Sequence, residues 1–422
     1  MTGLELLVGL LPERLKNIAS SDSHLWKRNL IIMAFALFVS SVGMSAVMPF
    51  LPFYIRELHP SHLQDIQLWS GFIYAAPFLS AMIAVPIWGA LGDKYGRKLM
   101  IVRANFGLTI VVLLMSFVQS PMELLLVRLL QGFISGYVAA TLGFATANTP
   151  NDRTGFALAI LSGAQNAGNI LGPFFGGIIT DFYSMRSVFT IVAIICFLAT
   201  FFIIFFLKEK HFEKDNQKSV SVLSNLQFAF SRPQLVTILS MIAISQAGIF
   251  FANPIFALYV EQLNPPKEYL ATITGILVAV IGFFSVITAP YWGKRNDKFP
   301  YHNTIIVAGL VSGITIIMHV AVSDVWQLLA LRSITGLFLA AVVPTLFVAI
   351  NQFVPLESKG GIMALASGAS FLGNLLSYIV SGYTASLFGM DICFVISGIL
   401  LIAVAIISYL SKRFNAQSAL MP

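Results

Sequence analysis

Two arginines, Arg128 and Arg332, stand well inside long apolar stretches. A guanidinium in hydrocarbon is costly and is usually functional or paired. It can bind an anionic group, perturb a nearby acid that carries a proton, or tie itself to backbone carbonyls or, for Arg128, to Glu123. The residues alone leave these readings open. A third, Arg103, lies one turn into its stretch and is expected to snorkel to the surface. All 18 Asp and Glu residues fall in loops or at the ends of apolar stretches, the nearest to the interior being Glu123, Asp181, Glu261 and Asp324. His319 is one more titratable group, though a lone His on an apolar helix is most simply a packed one. Cys196 and Cys393 have no ligand spacing around them. No apolar stretch gathers the His, Asp, Glu or Cys residues that metal binding or acid–base catalysis needs, and no GxxxxGK[ST] phosphate loop occurs. A membrane enzyme is therefore disfavoured, and no cofactor or metal is expected.

Uncharged polar residues recur at helical spacing in the same stretches. Gln165 and Asn169 sit one turn apart, with Ser162 extending the row, and Gln246 and Asn253 sit two turns apart. Ser370, Asn374 and Ser377 form a comparable row. Such rows either bond between helices or line a wet cavity. Gln165, Asn169, Gln246 and Asn253 are expected to line a substrate or proton path with Arg128 and Arg332. Because the only charges inside the stretches are arginines, that path is expected to prefer anionic or zwitterionic compounds. The segment GNILGPFFGG places Gly168, Gly172 and Gly176 every four residues, with Pro173 and Gly177 beside them. The glycine face permits close helix packing, and the proline loosens local backbone bonding.

The elements that must hold these residues are membrane spans. The chain of 422 residues is 57% hydrophobic and only 10% charged, where a soluble domain carries about a quarter charged residues. Apolar runs of about 20 residues predict twelve spans, near 29–55, 66–91, 99–118, 122–147, 155–180, 187–207, 233–260, 270–292, 303–323, 326–350, 361–387 and 392–411. With the N-terminus inside, 19 of the 25 Lys and Arg residues fall in cytoplasmic segments and three, Arg56, Arg186 and Lys267, fall outside. That asymmetry follows the positive-inside rule, so the net charge of +7 reports topology rather than nucleic-acid binding. Residues 1–28 read as a cytoplasmic tail with no cleaved leader and a short surface helix from Leu4 to Leu11. Residues 208–232 read as a cytoplasmic linker with a short helix near Val222 to Phe230, and 412–422 as a cytoplasmic tail. The two halves repeat at an offset of 204 to 205 residues: VPIWGALGDK at Val85 returns as APYWGKRNDK at Ala289, and PFLPFYIREL at Pro49 aligns with PIFALYVEQL at Pro254. Arg128 falls on Arg332, and Gly168-Asn169 on Gly373-Asn374. The expected fold class is an all-α membrane protein with twelve transmembrane helices in two pseudo-symmetric six-helix bundles, 29–207 and 233–411. The substrate site would lie between them near the midplane.

GALGDKYGRK, from Gly89 to Lys98, resembles the signature loop of the major facilitator superfamily at Gly89, Leu91, Asp93, Gly96, Arg97 and Lys98. LLVRLLQGFISG, from Leu125 to Gly136, resembles that family's fourth-span motif, and GNILGPFFGG resembles the motif of its drug:proton antiporter branch. GMSAVMPFLPFY, from Gly43 to Tyr54, resembles the opening helix of the same branch. The resemblance covers nearly the whole chain and is nearest to bacterial multidrug efflux carriers. It implies the major facilitator fold, with export of small organic compounds by proton antiport and alternating access. It implies a gating role for Gly89, Asp93, Gly96, Arg97 and Lys98, in which Asp93 latches against the N-terminus of span eleven near Gly360. It also implies that the span-five glycines slide against span eight of the other bundle. In the second copy Lys294, Arg295 and Pro300 degrade the loop, and Ser377 and Tyr378 replace the Gly-Pro pair, so both devices belong to the first half. The implied partners are a small-molecule substrate, protons and the lipid bilayer. The implied setting is the bacterial inner membrane, as a multi-pass monomer with both termini cytoplasmic. A siderophore or metabolite exporter, an uptake permease and a lipid flippase of the same fold are the alternatives.

Overall fold

The computed structural model describes residues 22–58, 62–150, 152–209, 222–355 and 358–418. These residues form twelve long helical passes. The first six are α1 (Leu25–Leu58), α2 (Leu63–Tyr95), α3 (Arg97–Met115), α4 (Pro121–Asn148), α5 (Thr154–Phe182) and α6 (Met185–Phe206). The second six are α7 (Pro233–Gln262), α8 (Lys267–Lys298), α9 (Tyr301–Ala321), α10 (Val325–Ile350), α11 (Lys359–Phe388) and α12 (Met390–Ser418). Eleven of them are long and apolar enough to cross a membrane. The exception is α5, which has the length, 29 residues, while its Gly, Asn and Gln residues dilute its hydropathy. That is the composition of a helix that meets other helices and a cavity more than lipid. The expected Leu4–Leu11 helix and residues 210–221 of the linker lie outside the described residues. The expected short helix is present at Val222–Phe230, and α12 continues to Ser418, into the expected tail.

Three passes, α1, α4 and α7, are broken where the apolar pattern predicts continuity, α7 by a 3-10 turn at Asn253–Ile255. In α1 a 3-10 turn at Met48–Phe50 interrupts the helix at Pro49, whose ring removes one backbone donor. In α4 the helix stops at Ile134 and restarts at Tyr137, because Gly136 takes φ 111°, a left-handed conformation that glycine alone enters without strain. The signature segment is mostly helical. Its single non-helical residue is Gly96, at φ 94°, between Tyr95 of α2 and Arg97 of α3.

The repeat persists down to single hydrogen bonds. Arg128 Nε donates to the Ile73 carbonyl at 3.2 Å, and Arg332 Nε donates to the equivalent Leu277 carbonyl at 2.5 Å. Trp88 donates to Phe133 O and Trp292 to Leu337 O, each at 2.7 Å. Tyr54 donates to Met115 O, and Tyr259 to His319 O. Each bond spends a side-chain donor on a backbone carbonyl, since an unsatisfied donor in hydrocarbon costs several kcal/mol. The two halves are thus held in the same internal geometry.

Candidate functional site

The face of the molecule that carries Lys208 and Arg232 is the basic side. There the start of α1 is tied to the end of α6, with Asn29 Nδ2 donating to Lys208 O at 2.6 Å. On the opposite, far side, the two halves cross at two places. A Cβ added to Gly71 of α2 would lie 2.7 Å from the Tyr378 carbonyl oxygen of α11 and 2.9 Å from Gly382 Cα. A Cβ on Gly275 of α8 would lie 2.2 Å from the Pro173 carbonyl oxygen, and one on Gly177 of α5 would lie 2.5 Å from that of Ala271. Gly71 and Gly275 are repeat mates, as are Gly177 and Gly382, so one glycine crossing is used twice about the pseudo-twofold axis. Asp181, at the far end of α5, accepts from the Ala271 and Thr272 amides at 2.9 and 2.7 Å. It thereby caps the N-terminus of α8 in the other half, where the helix dipole favours a carboxylate. Arg56 grips Glu261 with two bonds, at 2.8 and 2.6 Å; these two are also repeat mates. An aromatic cluster fills the α2–α11 seam, with Tyr378 centred 5.5 Å from Tyr74, 5.6 Å from Phe78 and 6.2 Å from Phe250.

The basic side is different. Around Gly89, Gly163, Gly293, Gly360 and Gly368 no atom lies within 4 Å of where a Cβ would stand. At Gly89 no neighbouring helix approaches closely in this conformation: the halves meet on the far side and part on the basic side.

Between α5, α7, α8 and α10 lies a cavity of about 390 Å³. Asn166, Asn169, Gln246 and Ser285 supply its polar groups, and residues such as Phe250, Val278 and Leu339 its apolar wall. No charged residue lines it. Ser285 Oγ donates to Gly336 O at 3.0 Å. The amides of Asn166, Asn169 and Gln246 have no partner among the described residues, so each presents donors and an acceptor to whatever enters.

Asn169 and Gln246 were the cavity residues expected from sequence that the structure brings together. Gln165 does not line the space. Asn253 lies beyond it, in a 3-10 turn. Arg128 is 2% exposed, its other nitrogens turned to Gln131 Oε1 at 2.5 Å and Met48 Sδ at 3.2 Å. Arg332 is 9% exposed and lies 3.9 Å over the Phe256 ring. Both guanidiniums are held by backbone and neighbours away from the cavity. Arg103 lies 3.6 Å over the Trp88 ring and donates to Ser135 O at the break in α4. Asn166 and Ser285 were not among the expected residues. The glycine stripe contained the signal for Asn166. Gly168, Gly172 and Gly176 abut carbonyls of α1 within their own half, not α8, and of the motif's glycines only Gly177 reaches α8. Helical periodicity puts Gln165 on that buried stripe and Asn166 away from it.

The acids nearest the interior are all engaged on the far side. Glu123 accepts from Gln119 N at 2.8 Å, Asp324 caps α10 through Trp326 N and Gln327 N, and Asp181 and Glu261 cross between the halves as described. His319 is 1% exposed, bonded to Thr315 O and stacked on Phe394, as a packed histidine is. In the signature segment, Arg97 donates to Gly143 O, Lys98 Nζ to Ile204 O at 2.9 Å, and Glu209 accepts from both of their amides. The Asp93 side chain lies outside the described residues.

Comparison with known proteins places this geometry. The sequence profile of the Major Facilitator Superfamily matches residues 33–281 and 238–418. Multidrug resistance protein MdtG of Proteus mirabilis strain HI4320 is 31% identical over 391 residues, covering 92% of this chain and 96% of its own. MdtG of Dickeya zeae strain Ech586 is 32% identical over 400 residues, covering 94% and 97%. Among solved structures, a bacterial homolog to human lysosomal transporter Spinster superposes with TM-score 0.77 at 14% identity, over 92% of this chain and 97% of that one. The nucleoside transporter NupG does so with TM-score 0.75 at 12% identity, over 90% and 98%.

Proposed function

We propose that this chain, which belongs to the Major Facilitator Superfamily and is a membrane transporter rather than an enzyme, exports small organic compounds by proton antiport and alternating access. The observation that carries this reading is the pairing of a cavity parted on the basic side with a sealed far side. Excess Lys and Arg mark the basic side as cytoplasmic, so the cavity loads from within a bacterial inner membrane. The likeness to multidrug resistance proteins along nearly the whole chain supports efflux as the direction.

In this mechanism the halves rock about the cavity. To release outward, the protein breaks the Arg56–Glu261 pair, withdraws Asp181 from α8 and separates the two glycine crossings. On the cytoplasmic side Asp93 then latches the N-terminus of α11 near Gly360, and Gly89 provides the room for that approach. Gly96 supplies the turn, and Arg97 and Lys98 anchor the segment to α4 and α6. The substrate path runs past Asn169 and Gln246, and Arg128 and Arg332 hold the helices that frame it. The proton gradient supplies the driving force.

The test uses purified full-length protein in proteoliposomes with an imposed proton gradient. Gradient-driven movement of organic compounds, matched by counterflow of protons read with a trapped pH dye and abolished by nigericin, is the expected outcome. Movement that persists unchanged after the gradient is collapsed rejects antiport.

A further inference from the structure

We infer that the cavity selects uncharged aromatic compounds that carry amide, carbonyl or hydroxyl groups, with Asn166, Asn169 and Gln246 as the selecting residues. For the direction of movement this rests on the export reading; for binding it rests on the geometry alone.

Charge decides the class. A charged solute that leaves water needs a counter-charge or full hydrogen bonding inside. A permanent cation finds no carboxylate here, because no acid lines the cavity and the acids described above are at the ends of passes. An anion finds no guanidinium, because neither Arg128 nor Arg332 lines the cavity; Arg128 is bonded to Ile73 O and Gln131, and Arg332 is drawn to Leu277 O and the Phe256 ring. The anionic preference expected from the three arginines therefore has no contact to act through.

What remains is chemically specific. Three primary amides without partners among the described residues face the cavity from α5 and α7. A primary amide both donates and accepts, so the set matches neutral groups of either kind. Asn166 and Asn169 are one turn apart on α5, and Gln246 stands on the facing helix, so one ligand group can be held from two sides. Phe250 lines the same space and joins it to the aromatic cluster around Tyr378, which gives a flat ring a surface for edge or offset stacking. The volume of about 390 Å³ falls in the range that holds drug-sized molecules. The two seams of the molecule thus differ: the α5–α8 seam offers amides where the α2–α11 seam offers rings. Phe371, the repeat mate of Asn166, belongs to the aromatic seam, packing on Phe78.

The test uses three probes of one shape, 1-naphthaleneacetamide, 1-naphthaleneacetate and (1-naphthylmethyl)trimethylammonium. Binding to the full chain is measured by equilibrium dialysis in nanodiscs, with flux in proteoliposomes alongside. The amide is expected to bind at least tenfold tighter than either ion. Asn166→Leu or Gln246→Leu should weaken it by about three- to tenfold each, the worth of one neutral hydrogen bond. Gln246→Glu keeps the shape and adds a carboxylate, so it should raise affinity for the trimethylammonium probe by tenfold or more. Equal or tighter binding of either ion by the parent, no binding of the amide, or Leu variants that leave its affinity unchanged would each overturn the assignment. Amide binding without flux of any probe would leave the assignment standing and overturn the export reading. Flux of the ions with the amide refused would do the reverse.

Discussion

Arg128 shows how one side chain can look like a binding group and serve as a strut. Its three nitrogens reach a helix carbonyl, an amide and a thioether, a pattern that needs the planar fork of a guanidinium. Arg128→Lys keeps the charge and cannot reach all three. Losing one or two of these buried bonds should cost about 1–3 kcal/mol, read as a lower unfolding midpoint in detergent with the order of transported compounds unchanged. Arg332→Lys should cost less, since one bond and a ring contact are at stake. A changed order of compounds with an unchanged midpoint would return these arginines to the substrate path.

At the scale of the element, α5 carries two glycine surfaces with opposite duties. The stripe of Gly168, Gly172 and Gly176 is pressed on α1 within one half, and Gly177 is pressed on α8 across the interface. Leucine at Gly172 should therefore disrupt assembly of the first half and lower the yield of folded protein. Leucine at Gly177 should leave folding intact and hold the far side apart. Overpacking of this kind costs about 1–3 kcal/mol, enough to reduce flux roughly tenfold or more. Normal flux in a well-expressed Gly177→Leu protein would show that the crossing does not govern closure. Asp181→Asn tests the same seam electrostatically. Replacing the charged cap by a neutral one should release about 0.5–1 kcal/mol, a two- to fivefold shift toward the far-side-open state. Electron–electron resonance distances between spin labels at Gln119 and Trp326 would register it as a longer population.

Across the whole molecule, the far side is sealed by residues that are images of one another. Arg56 and Glu261 occupy one repeat position with opposite charges, which lets the pseudo-twofold axis pass through a salt bridge. Their side chains are 40% and 37% exposed, so solvent screening keeps the pair within about 1 kcal/mol. Arg56→Glu alone should open the far side by setting two carboxylates face to face, with flux falling a few-fold. The double swap Arg56→Glu with Glu261→Arg should restore it, as complementary charges would again meet. A double swap no better than the single change would mean that the pair is an ornament of the closed state.

The sequence by itself determined the membrane fold, the number of passes and the duplication, because span length, charge asymmetry and a repeat at 204 to 205 residues are local or periodic signals. It also held the glycine crossings: Gly71 coincides with Gly275 and Gly177 with Gly382 once the halves are aligned, although nothing in one half alone singles them out. Only the tertiary structure decided which face each helix turns inward. Gln165 and Asn166 are neighbours in the chain, yet the α1 contact of the glycine stripe leaves Asn166, not Gln165, in the cavity. Arg128 and Arg332 have the residue type of a binding group, and the carbonyls that hold them, Ile73 and Leu277, lie 55 residues earlier in the chain. Hydropathy reports that a charge sits in hydrocarbon. Which partner satisfies it is a property of the packed helices.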